Sequence, residues 1–180
     1  MTLSSEELKE RLSRVKLVLV DVDGVMTDGR IVFGNYGDEL KFFDVQDGFG
    51  LVMLRRAGFK TVMISAKKSR INHKRAKEVH ITKIYQNAFD KLKVYEKILR
   101  KFRVRDEEVC YLGDDLIDAP VLTRVGFAVA VRNAVQDVQS LAHYVTQKSG
   151  GRGAVREIAD MLLKTQGKWD DVTRRYGWLK

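Results

Sequence analysis

Cysteine, histidine and long apolar runs are scarce in this 180-residue chain, and each scarcity excludes something. The single cysteine, Cys110, rules out a disulfide within the chain. The histidines show no metal-ligand spacing: they are His73, His80 and His143. The first apolar run, residues 15–22, is too short to span a bilayer, and the opening residues are acidic where a signal peptide carries bases. We therefore expect a soluble, cytoplasmic protein with no membrane partner.

Basic residues exceed acidic ones and give a formal net charge of +9. Residues 67–77 contain six bases and no acid, but no aromatic residues interleave with them to stack on nucleobases. The run therefore reads as the solvated face of a helix, and we expect no nucleic-acid partner. Small anionic substrates would be attracted by the same charge. With 44% apolar residues, the length suits one domain spanning residues 1–180.

Apolar runs alternate with helical patterns along the chain, which predicts a doubly wound α/β fold with a mainly parallel sheet. The predicted strands are residues 17–22, 59–65, 81–85, 109–112 and 127–131. A short leading helix follows Ser4, and further helices are predicted near residues 48–57, 69–79, 90–102, 116–125 and 154–164.

Two segments depart from this alternation. Residues 30–45 contain two short apolar runs around a Gly/Asn turn, which predicts a β-hairpin inserted after the first strand. Its exposed aromatic residues predict self-association. Residues 165–180 form a C-terminal tail containing Trp169, Tyr176 and Trp178. Before it, the glycine-rich residues 150–153 precede a helix and favour a hinge or loop over an anion cradle.

Two acids at the end of the first strand are the strongest functional signal. Asp21 and Asp23 are two residues apart, so both would face the carboxyl edge of the sheet, where open α/β folds bind ligands. Two like charges so close need a cation or a shared proton to offset them. Three further features follow at strand ends and a helix start: Ser65, Lys91 and the turn 113–118, which contains Asp114 and Asp115.

In this order, the Asp-x-Asp, Ser, Lys and Gly-Asp-Asp motifs resemble those of the haloacid dehalogenase superfamily of phosphatases. The resemblance implies that Asp21 attacks phosphorus, that Asp23 is the general acid and base, and that Ser65 and Lys91 bind the phosphoryl group. It implies Mg²⁺ as cofactor, held by Asp21, the backbone carbonyl of Asp23, and Asp114. Asp115 would stand beside the metal or position its waters.

Within that superfamily, the chain resembles one branch, the 3-deoxy-D-manno-octulosonate 8-phosphate (KDO 8-phosphate) phosphatases. The resemblance lies in the lack of a cap domain, in the hairpin, and in residues 47–50, 113–118 and 150–157. This implies a cytoplasmic enzyme of lipopolysaccharide precursor synthesis, tetrameric through its hairpin. The tail then either reaches a neighbouring site, giving Arg152 a role in holding the sugar acid, or packs on its own domain. Where similar phosphatases have Gly-Arg after the Ser/Thr, this chain has Ala66 and Lys67, so Lys67 would replace the arginine in binding substrate.

Three other functions remain open from the sequence. The substrate could be another sugar-acid phosphate, because the motifs define phosphate chemistry and not the sugar. A phospho-Asp receiver module also clusters acids at strand ends, but its phosphorylated Asp follows a later strand than the paired acids. A nucleic-acid-binding module on an inactive phosphatase fold would not need the complete acidic set.

Overall fold

Six parallel strands form the central sheet of the protein, whose computed structural model describes residues 3–177. In chain order, the strands of this sheet and of a separate hairpin are β1 (Leu17–Asp21), β2 (Val32–Phe33), β3 (Glu39–Leu40), β4 (Lys60–Ile64), β5 (Lys83–Tyr85), β6 (Val109–Gly113), β7 (Phe127–Ala130) and β8 (Tyr144–Val145). The order across the sheet is β5-β4-β1-β6-β7-β8. The predicted doubly wound α/β fold is confirmed.

Helices flank the sheet in two groups. In chain order they are α1 (Ser5–Arg14), α2 (Val45–Arg56), α3 (Arg70–Glu78), α4 (Lys91–Phe102), α5 (Ala119–Leu122), α6 (Gln136–Leu141), α7 (Ala154–Thr165) and α8 (Trp169–Thr173). Helices α1 and α2 pack on α7, and α4 and α6 pack on α5. Because helices cover both faces, every residue of β1, β6 and β7 is buried.

Side chains at the helix starts determine where several helices begin. Ser4 and Glu7 form a capping box at α1, as their spacing predicts. The carboxylate of Asp44 accepts from the backbone N–H groups of α2, and that of Asp90 accepts from Lys93 N in α4. The second cap makes Lys91 the first residue of α4.

The order of the strands places a topological switch point beside β1. After β1 the chain adds β4 and β5 on one side, then returns to add β6, β7 and β8 on the other. Strands β1 and β6 are therefore neighbours whose following segments diverge. In open α/β sheets, ligands bind in the crevice at such a point, outside the carboxyl ends of the strands.

The hairpin is present but shorter than residues 30–45. Strands β2 and β3 have two residues each, paired antiparallel, and Gly34 N donates to Asp38 O across the turn. Gly37 in this turn has a φ of 78°, which favours glycine. Beyond β3 the chain leaves the hairpin to reach the cap of α2, so this helix begins at Val45 and not near residue 48.

Several elements differ from the sequence prediction. Strand β8 and helices α6 and α8 were not predicted, because two to six residues carry too little periodicity to be recognised. The helix predicted for residues 116–125 is a 3₁₀ turn followed by the four-residue α5. No helix within residues 3–177 is long and apolar enough to cross a membrane.

The described part of the C-terminal tail packs on its own domain. Trp169 lies against the core, and Lys164 Nζ lies 4.8 Å from the centre of its ring. The rings of Tyr176 and Phe49 meet edge to face with centroids 5.5 Å apart. Trp178 lies outside the described residues.

Candidate active site

The candidate active site is centred on Lys91. Its Nζ lies 2.9 Å from Oδ1 of Asp21 and also donates to Oδ1 of Asp118. All three side chains are buried at the carboxyl edge of the sheet: Asp21 ends β1, and Lys91 begins α4. Burial opposes the charge on Lys91, but the carboxylates of Asp21 and Asp118 outweigh it and raise the pKa of Lys91 above its ordinary value.

Asp118 was not among the predicted site residues, although it lies in the predicted turn 113–118. Its Oδ1 accepts from Lys91 and from the Tyr111 hydroxyl, and its Oδ2 accepts from the backbone N–H groups of Asp114 and Asp115 at 2.9 and 3.3 Å. This one buried carboxylate therefore fixes both the ammonium of Lys91 and the turn that carries Asp114. A Cβ at Gly113 would lie 2.7 Å from Asp118 Cβ, so the close approach requires glycine.

Asp114 follows β6 and completes a group of three acids. Asp21, Asp114 and Asp118 each offer one oxygen within 4.8 Å of the others. Burial, followed by the charges of Asp21 and Asp118, raises the pKa of Asp114. Burial also raises the pKa of Asp21, although Lys91 opposes the shift. Oδ1 of Asp114 is buried, and no group within residues 3–177 donates a hydrogen bond to it.

Asp23 lies just beyond β1 and meets a residue of the hairpin segment. Lys41 Nζ is 2.5 Å from Asp23 Oδ1 and 3.7 Å from Glu39 Oε1. The side chain of Lys41 is fully buried, whereas that of Asp23 is 23% exposed. The segment after the first strand therefore reaches the predicted acid and base directly.

Ser65 follows β4 and is buried at the same edge of the sheet. Its hydroxyl donates to Lys67 O at 3.0 Å and accepts from Asn72 Nδ2 at 3.4 Å. Lys67 itself is exposed, with Nζ 5.7 Å from the centre of the Phe33 ring in β2. The ammonium that stands where similar phosphatases have arginine thus lies against the hairpin.

The glycine-rich segment packs against the loop that follows β1. A Cβ at Gly150 would lie 1.8 Å from Gly24 O, and Gly151 N donates to Val25 O. Asn133 joins the two segments: its Nδ2 donates to Gly24 O, and its Oδ1 accepts from Gly150 N. These glycines allow close backbone packing, and residues 150–153 form turns, which agrees with the loop interpretation.

Two other residues from the sequence motifs have clear contacts. Arg152 is exposed, with Nη2 3.8 Å from Asp28 Oδ2 at the rim of the site. Asp115 lies farther from the centre: its Oδ1 accepts from Leu116 N and caps the 3₁₀ turn. Neither side chain joins the buried group of acids.

The motif at residues 47–50 links α2 to α7. The buried carboxylate of Asp47 accepts from Gly153 N at 3.1 Å and Arg156 N at 2.9 Å, and so caps α7 from the neighbouring helix. Burial raises the pKa of Asp47 to about 6, against these two hydrogen bonds. Asp47 therefore fixes the start of α7 and the end of the glycine-rich segment, which packs beside the loop after β1.

Comparison with known proteins agrees with this geometry. Residues 53–158 match the family of haloacid dehalogenase-like hydrolases. A 3-deoxy-D-manno-octulosonate 8-phosphate phosphatase from Yersinia pestis is 41% identical over 169 residues, which cover 94% of this chain and 90% of the relative. The chain belongs to the KDO 8-phosphate phosphatase family of these hydrolases.

Solved structures of this family superpose closely on the chain. A probable YrbI family phosphatase from Pseudomonas syringae pv. phaseolica 1448A has a TM-score of 0.93 at 42% identity, covering 96% of this chain and 98% of that one. The phosphatase from Moraxella catarrhalis, solved with a magnesium ion, a phosphate ion and KDO, has a TM-score of 0.93 at 34% identity, covering 96% and 99%.

The residues of this chain fit the divalent cation that the phosphatase family implies. Three carboxylates share the centre with one ammonium, so a formal charge of −2 remains, equal and opposite to the charge of one Mg²⁺. Asp114 Oδ1 is buried without a donor within the described residues, and such an oxygen is a suitable ligand for a hard cation. Asp118 uses both of its oxygens in hydrogen bonds, so Asp21 and Asp114 are the better ligands.

Sequence reasoning missed three residues that this phosphatase uses to build its site: Lys41, Asp118 and Asn133. Asp118 could have been found from the turn 113–118, because a fourth residue after Asp114 can fold back on its N–H. Lys41 and Asn133 gave no local signal. Their partners, Asp23 and Gly24, are brought to them by the hairpin and by the loop after β7.

Proposed function

We propose that the protein is a Mg²⁺-dependent phosphomonoesterase that hydrolyses KDO 8-phosphate to the free sugar acid and phosphate. The observation that carries the proposal is the buried pair of Asp21 and Lys91 beside the Asp114 oxygen that receives no hydrogen bond within residues 3–177. A carboxylate, an ammonium and a cation site at one sheet edge suit attack on a phosphate dianion. The substrate is taken from relatives named for it at 41% identity.

In the first step, an Asp21 carboxylate oxygen attacks phosphorus and the bond to the sugar oxygen breaks, which leaves an aspartyl-phosphate. The position of Asp21 at the end of β1, held by Lys91 at 2.9 Å, supports its role as nucleophile. The leaving alkoxide takes a proton from the Asp23 carboxyl group. Asp23 lies two residues beyond the nucleophile and keeps part of its surface open, so it can reach the ester oxygen.

In the second step, water attacks the phosphorus of the aspartyl-phosphate. Asp23, now a carboxylate, accepts a proton from this water, and the bond between phosphorus and the Asp21 oxygen breaks. Phosphate leaves and Asp21 is restored. One residue thus serves as acid and then as base, which returns the enzyme to its starting protonation state.

The phosphoryl group would be bound by Ser65 and Lys91. Both are buried at the same edge of the sheet as Asp21. Lys91 would neutralise charge on the phosphoryl oxygens, and the Ser65 hydroxyl would turn from Lys67 O to donate to one of them. Lys67 and Arg152 lie farther out, at the hairpin and the rim, where they would bind the sugar acid.

Mg²⁺ would be held by Asp21, Asp114 and the backbone carbonyl of Asp23. When bound, the cation supplies charge neutralisation between the carboxylate nucleophile and the phosphate. Asp118 would keep Asp114 and Lys91 in place through its hydrogen bonds. Asp115 would stand beside the metal or position its waters.

Homotetramer formation through the hairpin is part of the proposal. Large apolar side chains of this segment are exposed in the isolated chain: Phe33, Tyr36, Leu40 and Phe42. They adjoin a site that has no cap domain, so a neighbouring subunit could exclude water from it. We place the reaction in the cytoplasm, in the synthesis of a lipopolysaccharide precursor.

The test is release of phosphate from KDO 8-phosphate and from a panel of other sugar phosphates, with Mg²⁺ and with chelator. The wild type is compared with Asp21→Asn. Fast, Mg²⁺-dependent release that prefers KDO 8-phosphate and disappears in Asp21→Asn is expected. Equal release across the panel would retain the mechanism and overturn the substrate, whereas full activity of Asp21→Asn would overturn the mechanism.

A further inference from the structure

Lys41 occupies an unusual position for a lysine that no step of the proposed reaction uses. It follows β3 directly, and its side chain exposes no surface to solvent. Its Nζ lies 2.5 Å from Asp23 Oδ1 and 3.7 Å from Glu39 Oε1. The neighbouring hairpin residues are more exposed, with Leu40 at 51% and Phe42 at 66%. Lys41 therefore turns inward where the residues on either side turn outward.

Burial of this ammonium has a cost that its contacts must offset. A lysine side chain loses about 2 kcal/mol of rotamer entropy when it is fixed, and a buried charge is tolerated only when it is paired. The two carboxylates supply that pairing, and Asp23 is the nearer. The contact consequently fixes both partners. Within residues 3–177, the only hydrogen bond made by the Asp23 side chain is the one from Lys41 to Oδ1.

The same contact joins two separate parts of the molecule. Asp23 belongs to the loop after β1, whereas Lys41 belongs to the hairpin segment 18 positions later. The hairpin also contacts the segment after β4, where the Lys67 ammonium lies over the Phe33 ring. The orientation of the Asp23 carboxylate thus depends on where the hairpin lies.

We propose that Lys41 is a positioning residue that holds the Asp23 carboxyl group, through Oδ1, in the orientation from which Oδ2 exchanges a proton with the sugar ester oxygen. The inference rests on the proposed function, because it assigns Asp23 the proton transfer. It adds that turnover depends on the placement of the hairpin, since Lys41 directly follows its second strand.

The test combines a leaving-group comparison with a double-mutant cycle. Wild type, Lys41→Met, Asp23→Asn and the double variant are assayed with KDO 8-phosphate and with p-nitrophenyl phosphate, in single turnovers with enzyme in excess. Methionine keeps the length of the lysine side chain without its charge. Lys60→Met is the matched control, because Lys60 is exposed at the opposite, amino-terminal end of β4. Mass in solution is measured for every variant.

The expected result is a loss of about 10-fold or more for Lys41→Met on KDO 8-phosphate, since proton transfer contributes about 10²–10⁴-fold. The loss on p-nitrophenyl phosphate should be smaller, because its leaving group departs without a proton. In the Asp23→Asn background the substitution should add nothing.

A loss equal for both substrates, or one that persists in the Asp23→Asn background, would assign Lys41 to the fold or the assembly and overturn the inference. So would wild-type rates in Lys41→Met. If the wild type hydrolyses neither phosphate ester with Mg²⁺, the proposed function fails instead, and the two failures are distinct.

Discussion

Lys91 and Asp21 form a buried ion pair of 2.9 Å that joins the first residue of α4 to the last residue of β1. The lysine exposes 1% of its side chain and the aspartate 9%. Because the ammonium also contacts Asp118, it lies between two carboxylates and cannot swing away without leaving both charges unpaired. The pair therefore aims the Asp21 carboxylate and keeps a positive charge at the position proposed for the phosphoryl group.

Lys91→Met should reduce kcat by about 10²-fold or more, because it removes a fixed donor from the phosphoryl site. It should also lower the free energy of unfolding by about 3–5 kcal/mol, since it leaves the charges of Asp21 and Asp118 without a cation. Steady-state kinetics and chemical denaturation measure the two effects. Lys93→Met, an exposed position on the same helix, is the control and should change neither. Wild-type kcat in Lys91→Met would contradict the assignment.

Asp114→Asn should separate metal binding from folding. Without metal, burial and then repulsion by Asp21 and Asp118 raise the pKa of Asp114, so removing its charge should raise Tm. In the wild type, Mg²⁺ should raise Tm; in Asp114→Asn, this increase should be lost together with turnover. Thermal unfolding with Mg²⁺ and with chelator tests both statements. An equal Mg²⁺-induced rise in the two proteins would exclude Asp114 as a ligand.

Asp118→Asn should show a different pattern. The amide replaces an acceptor with a donor beside the Lys91 ammonium or the backbone N–H groups of the turn, so kcat and stability should both fall. A loss of about 1–3 kcal/mol is expected for the unsatisfied group. The Mg²⁺-induced rise in Tm should remain, because Asp118 is not a proposed ligand. Its disappearance would place Asp118 in the metal site.

The strand ends made much of this site predictable from sequence. Asp21, Ser65 and Asp114 each follow a buried apolar run, and parallel strands bring such positions to one edge. Lys91 was predictable because Asp90 caps a helix that begins at that edge. At these positions the residue's place at a strand end or helix start, visible in the sequence, is enough to put it at the shared edge of the sheet.

Two residues, Lys41 and Asn133, could not be predicted because their partners are distant in the chain. Lys41 and Asp23 are 18 positions apart, and Asn133 and Gly24 are 109 apart. Lys41 sits among apolar residues and resembles any solvated hairpin lysine until the hairpin is placed beside Asp23. No periodicity encodes contacts of this kind, since they depend on how the loops cross the sheet edge.

Gly150→Ala should lower kcat by more than its effect on stability explains, because it displaces the loop after β1. Its Cβ would lie 1.8 Å from Gly24 O, a backbone atom of the loop between Asp23 and Val25, so that loop must move. We expect a fall in kcat of about 10²-fold, as displacements of about 1 Å produce. Gly58→Ala is the control: its φ is +89° but its Cβ meets nothing within 4 Å, so it should cost about 1–2 kcal/mol and leave kcat unchanged. Equal kinetics for both variants would show that the close packing does not position the loop.

The hairpin should carry the assembly, and its contacts should be separable from exposed apolar residues elsewhere. Tyr36 is 99% exposed and Leu40 51% exposed in the isolated chain, whereas Leu141 on α6 is 40% exposed. The wild type should sediment as a tetramer at micromolar concentration. Tyr36→Ser with Leu40→Ser should reduce the mass, because a few buried apolar side chains contribute about 1.5–3 kcal/mol each at an interface. Leu141→Ser should keep the wild-type mass.

Activity should fall with the mass, since a site without a cap then admits water. A wild-type monomer that is fully active would refute both the assembly and its role in closing the site.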